Sequence, residues 1–331
     1  FITSASSSSS NSDLVLAQIN ELNSIMACIS MLASSMVSTA NITDSIMVLL
    51  EPLMLCSGGV TSTMRYCLNE ICKYIPNLKA NIHENLLKIL SQILTNKPLN
   101  QIIQNIPSSA SNLIRSNNYY SQISTSNSLS SLVLPHQLNS NGTYPATNMD
   151  QVSMSSNADP ESIVQALQTL RAFEFSTIYM IAFLKYCIDY YLQHDSCQVK
   201  IEAVQTTSYL IGRLINELNG KDSRSLISII SCALRKLLIC AITDYEADVR
   251  YNVLNSLDND HKFNAFVALP EHLNILFMCV RDERSEIREL SSSMISRLSA
   301  SNSAYIQPFI RKILMQLLTE VEIYPDILQR E

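Results

Sequence analysis

His194 stands beside Asp195, a histidine–carboxylate pairing of the kind that moves protons. Adjacent residues at a helix–turn junction rarely converge on one substrate, so this pair makes a poor dyad. Cys67 and Cys72 lie five apart on one expected helix. With no third cysteine or histidine beside them, they do not make a metal site. Arg250 and Arg288 have the chemistry to bind a phosphorylated partner. Each, however, has its own aspartate at fixed spacing ahead of it, which favours ion pairs within the protein. Tyr186, Tyr190 and Tyr191 offer an aromatic patch, but their helical spacing reads first as partly buried core. No H-E-x-x-H, C-x-x-C, G-x-S-x-G, kinase catalytic loop or D-F-G occurs. The expectation for this segment is therefore no catalytic, cofactor-binding or metal-ligating residue.

The charged residues that do recur mark a repeat. Asp195 precedes Val199-Lys200, Asp244 precedes Val249-Arg250, and Asp282 precedes Ile287-Arg288. The small or β-branched residues Ala203, Val253 and Ser291 follow four positions after each anchor, and helical apolar spacing continues beyond them. An apolar helix comes before each turn. Leu234, Leu237, Leu238 and Ala241 form one such face; Leu273, Leu276, Phe277 and Val280 form another. This is the HEAT-repeat pattern of helix, aspartate turn and second helix. The aspartate satisfies amides at the turn, near the positive end of the second helix. The base is placed to reach the aspartate of a neighbouring repeat. A structural ladder of Asp195, Lys200, Asp244, Arg250, Asp282 and Arg288 is expected.

Composition agrees with helices. Five glycines occur where roughly 23 would be usual for this length. Neither G-x-G-x-x-G nor G-x-x-x-x-G-K is present, so phosphate-cradling loops are absent from the sequence. The chain is 47% hydrophobic, ample for a core, and has a net charge of −6 with no basic run. That balance gives no reason to expect nucleic acid. The nine cysteines are odd in number and mostly within apolar runs, as free thiols of a reducing compartment would be. The uncharged stretch from Leu22 to Thr43 is long enough to cross a bilayer. Its load of Ser, Thr and Asn is wrong for a membrane helix, so no membrane insertion is expected.

The fold expected is all-α: a solenoid of antiparallel helix pairs of the HEAT/armadillo-like kind. Residues 1–12 read as a Ser-rich disordered lead-in and 13–106 as helical repeats. Residues 107–157 read as a low-complexity Ser/Asn-rich insert, poor in the apolar surface that offsets chain entropy. Residues 158–331 read as repeats that continue past the end of a fragment. Pro52 should kink a helix over Ile46–Leu55, Pro76 should stop the next, and Lys97-Pro98 should close the one after.

The stretch DYEADVRYNVLNSLDNDHKFNAFVA from Asp244, with EIRELSSSMISRLSASNSAYIQPFIRKILMQLLTEVE to Glu322, resembles the N-terminal HEAT solenoid of the target-of-rapamycin (TOR) kinases. These belong to the phosphatidylinositol-3-kinase-related family. LLEPLMLCSGG at Leu49–Gly59, IPNLKANIHENLLKILSQILTNKPL at Ile75–Leu99 and LQTLRAFEF at Leu167–Phe175 add to the resemblance, in the family's order. The insert looks longer and richer in Ser and Asn than the family pattern. The resemblance implies a parent protein serine/threonine kinase whose catalytic domain, with its ATP and Mg, lies C-terminal to this segment. It implies a scaffold in nutrient and growth signalling that docks a raptor-type subunit and takes part in TOR–TOR dimer contacts. It also implies a cytoplasmic location, with endomembrane association through complex partners and a nuclear pool. The alternative from another class is a karyopherin-like transport receptor or other α-solenoid adaptor, also built from HEAT repeats.

Overall fold

The computed structural model describes residues 17, 20–21, 23–32, 46, 48, 50, 52, 54, 60–104, 158–218 and 224–323. The expected lead-in at 1–12, the insert at 107–157 and half of the helix expected over Ile46–Leu55 lie outside the described residues; the other half, Ile46, Val48, Leu50, Pro52 and Met54, is helical. Within them, every regular element is helical. The α-helices are α1 (Asn23–Leu32), α2 (Ser62–Tyr74), α3 (Lys79–Thr95), α4 (Leu99–Gln104), α5 (Pro160–Ala172) and α6 (Thr177–Asp189). They continue as α7 (Cys197–Leu218), α8 (Arg224–Thr243), α9 (Ala247–Asp258), α10 (Asn264–Val267), α11 (Pro270–Cys279), α12 (Ser285–Leu298) and α13 (Ser303–Ile323).

Helix boundaries follow local chemistry. Thr61 caps α2, its hydroxyl accepting from the Met64 amide at 3.3 Å. α2 stops one residue before Pro76, which cannot supply the next backbone donor. α3 ends where Asn96 turns left-handed at φ 50°, a conformation that asparagine tolerates better than most residues. Pro160 and Pro270 open α5 and α11, where a missing N–H costs nothing.

The helices stack in two rows. α6, α8 and α11 form consecutive members of the first row, with α3 and α4 beside α6. α2, α5, α7, α9 and α12 form the second. Each pair, α6 with α7, α8 with α9 and α11 with α12, packs across the rows, and α3 pairs in the same way with α5. The described residues thus form an α-solenoid. Val199, Val249 and Ile287 are fully buried, as are Ala203, Val253 and Ser291 one turn later. Those short side chains let second-row helices lie close to their neighbours. α8 is long and apolar enough to cross a membrane by length and composition alone. Here it packs against α6, α7, α9 and α11.

Gly212 sits inside α7. A Cβ there would lie 3.6 Å from the Phe263 ring and 3.8 Å from the Asp260 carboxylate, ordinary contact distances. Nothing in the packing demands glycine, while glycine inside a helix costs close to 1 kcal/mol relative to alanine. Gly212→Ala should therefore stabilise the chain by about 0.5–1 kcal/mol, read as a higher midpoint in thermal or urea unfolding.

Candidate functional site

The turns between first-row and second-row helices carry a continuous ion-pair ladder. Lys200, at the start of α7, places its ammonium 2.9 Å from both carboxylate oxygens of Asp244 in the next turn. It also lies 4.2 Å from the centre of the Tyr245 ring. Asp244 Oδ1 accepts from the Glu246 amide at 2.9 Å and so holds its own turn. One repeat on, Arg250 binds Asp282 in a fork, Nε to Oδ2 at 2.8 Å and an Nη to Oδ1 at 3.0 Å. The same Nη reaches Glu283 at 3.0 Å, and the other Nη donates back to the carbonyls of Asp244 and Tyr245. All five donors of that guanidinium are therefore engaged, which leaves none for a phosphate. Asp282 Oδ1 accepts from the Arg284 amide, and Arg288 donates to the carbonyls of Asp282 and Glu283.

These ions are buried: Lys200 and Asp244 side chains are 3% and 7% exposed, Arg250 and Asp282 7% and 8%. Burial alone would raise the Asp282 carboxyl, but hydrogen bonds from Arg250 and the Arg284 amide, with the nearby arginine charges, hold it below its usual range. For Lys200 burial favours the neutral form, and the Asp244 carboxylate outweighs it, so the ammonium is raised above its ordinary value.

Asp195 does not join this ladder. It is exposed, and the position in register with Asp244 and Asp282 is His194, whose Nδ1 accepts from the Ser196 amide at 3.0 Å. Asp244 and Asp282 stand five residues before their anchors, whereas Asp195 stands four before Val199, one residue too late to turn back on the amide. His194 therefore serves as a turn residue.

A second polar stripe crosses the second row, and the sequence reading missed it. Arg65 on α2 bonds Gln165 and Gln168 of α5, both at 2.8 Å. Gln168 donates to Glu202 on α7 at 2.8 Å, and Arg171 binds Glu202 and Gln205. Its signal was present as polar residues three apart, Gln165, Gln168 and Arg171, then Glu202 and Gln205, on otherwise apolar helices. What faces Arg65 is a hundred residues away in sequence, and no local pattern reveals that.

The remaining candidates are structural. Tyr191 is buried and donates to the Leu94 carbonyl at 2.6 Å, tying the end of α6 to α3, while Tyr186 and Tyr190 stack. The eight described cysteines are free. Burial pushes Cys72 up to about 11 and Cys187 and Cys240 to about 12, so these are neutral, weakly nucleophilic thiols at physiological pH. His272 is fully buried with Nδ1 2.7 Å from the Phe266 carbonyl, and His261 is exposed in a short 3-10 turn. His136 lies outside the described residues. Among the described residues, no group of three or more His, Cys, Asp or Glu could hold a metal ion.

Helix pairs stacked into a solenoid, joined turn to turn by buried ion pairs, define a helical-repeat protein. No family model matches the chain. Individual relatives do. It is 31% identical over 299 residues to the serine/threonine-protein kinase mTor of Drosophila melanogaster, covering 90% of this chain and 10% of that one. It is 30% identical over 307 residues to the serine/threonine-protein kinase tor1 of Schizosaccharomyces pombe, with 93% and 11% covered. The serine/threonine-protein kinase TOR of Arabidopsis thaliana matches at 25% over 317 residues, with 92% and 11% covered. The chain belongs to the TOR serine/threonine kinase family and spans about a tenth of the length of these relatives.

Two measurements probe the site. Arg250→Ala strands Asp282 and two turn carbonyls and should cost about 2–4 kcal/mol in urea unfolding. Arg288→Ala removes bonds to carbonyls alone and should cost about 1 kcal/mol. Equal small losses would refute the ladder's cooperation. His83 packs against Phe173 and Phe175, and burial, then the Lys79 charge, lower it to about 4 from 6.5 despite Glu174. Its contribution is therefore full above pH 6.5 and is lost as pH falls towards 4. His83→Phe should flatten the stability–pH curve across that window, measured by thermal unfolding at stepped pH.

Proposed function

We propose that this segment is a non-catalytic scaffold in the arm of a TOR-type protein serine/threonine kinase. The observation that carries the reading is the match of nearly the whole chain to about a tenth of kinases named TOR, with that tenth built as a stacked helical solenoid. Phosphoryl transfer, with its ATP and Mg, belongs on this reading to parts of the parent outside this segment. The segment docks a raptor-type subunit in nutrient and growth signalling and lends surface to TOR–TOR contacts, and the parent works in the cytoplasm. A rigid platform suits that task. The buried ladder fixes turn-to-turn geometry, while Ile227 and Ile239 on α8 and Met278 on α11 stay exposed as apolar contact points for a partner. The relatives named above favour this reading over a transport receptor.

The 331-residue chain, immobilised, should retain a co-expressed raptor-type subunit in a pull-down and show no kinase activity above background. Loss of retention while the chain keeps a helical circular dichroism spectrum would reject docking.

A further inference from the structure

The polar stripe of the second row is closed between α2, α5 and α7, and it opens between α7 and α9. There an open cleft of about 360 Å³ runs along the seam where α7 packs on α9. Gln205, Ser208 and Asn216 line it from α7; Asn252 and Asn255 line it from α9, and Asn259 from just past the end of α9. In the closed part of the stripe, glutamines and charges bond one another across the helices. In the cleft, the amides of Asn216, Asn255 and Asn259 make no hydrogen bond within the described residues. Ser208, only 5% exposed at the floor, has a buried hydroxyl with no partner. A hydroxyl without a partner is costly to bury, and its presence beneath a row of unengaged amides points to a ligand that bonds there.

The charges say what the ligand is not. Arg171 is paired with Glu202, Arg213 with Glu174 and Lys262 with Asp260. Among the described residues that line the cleft, no cation stands unneutralised to hold a phosphate backbone. Asparagine side chains instead offer a donor and an acceptor side by side, the complement of a peptide N–H and C=O. From Gln205 to Asn216 the α7 stripe runs roughly 16 Å, room for about five residues of extended chain. Tyr209 adds an aromatic wall for one side chain.

We propose that the α7–α9 cleft binds an extended, uncharged polypeptide segment of a partner and reads it through its main chain. The site is independent of whether a raptor-type subunit docks on this segment, and the test omits that subunit, so the two readings fail separately. A phage-displayed random heptapeptide library is panned on the 331-residue chain, and enriched peptides are synthesised and titrated by fluorescence anisotropy. Saturable binding is expected. It should weaken about tenfold in Asn255→Ala/Asn259→Ala and again in Asn216→Ala on the opposite wall, the loss of a hydrogen bond or two. N-methylation of the peptide's central amides should weaken it equally. Unchanged melting temperatures identify variants that remain folded, and Asn216 and Asn259 are exposed enough to make folding failure a poor explanation. The proposal is overturned if no peptide binds saturably, if binding ignores both variants or N-methylation, or if a twelve-nucleotide single-stranded DNA displaces the peptide.

Discussion

Second-row helices must approach closely, and the rest of the structure depends on that constraint. Ala203, Val253 and Ser291, fully buried, are the small or β-branched residues one turn after each anchor. Close approach brings successive turns within ion-pair reach, and only then can Lys200 and Arg250 be buried. An isolated ammonium or guanidinium in such a place would lose several kcal/mol of hydration. Each instead finds the carboxylate of the next turn already oriented by a backbone amide. The net stabilisation from such pairs is small beside an apolar substitute of the same volume, whereas a shift of one residue would strand the charge. The ladder therefore acts chiefly on register: it tells each repeat how to sit on the next.

The second polar stripe obeys the same logic with a different result. From Arg65 to Gln205 its members satisfy one another, and that surface has little left to offer a partner. Beyond Gln205 the amides of α7 and α9 line an open cleft along the seam of the two helices. The two parts of the stripe thus differ in which of their side chains already bond one another.

Much of this was legible in the sequence. Glycine scarcity and 3.6-residue apolar spacing indicated helices, and the spacing from Asp to Val-Arg or Ile-Arg indicated both the repeat and its ladder. Asp195 shows the limit of motif reading. An aspartate four residues ahead of the anchor looks equivalent to one five ahead, yet turn geometry accepts only the latter position and His194 fills it. The Arg65 stripe and the α7–α9 cleft were not legible, because their members meet only after the rows stack. Nor could the apolarity of α8 say by itself whether lipid or neighbouring helices would cover it. In the fold, α6, α7, α9 and α11 pack against α8, while Ile227 and Ile239 on it stay exposed.

The ladder does not extend to every helix pair. In α5 the third and fourth residues, the places that an anchor and its base hold in the later repeats, are Ser162 and Ile163, and neither can form a rung. The pair formed by α3 and α5 is held by apolar packing and by the stripe that reaches Glu202, with no base at its turn. Among the described residues, no base-to-aspartate rung joins α3 to α5. A long insertion between α8 and α9 would separate Asp244 from the Tyr245 and Glu246 backbone that Arg250 and Asp244 itself hold. It would leave Lys200 buried against a turn that no longer closes. Where a solenoid can expand is thus set by which of its turns carry a buried charge.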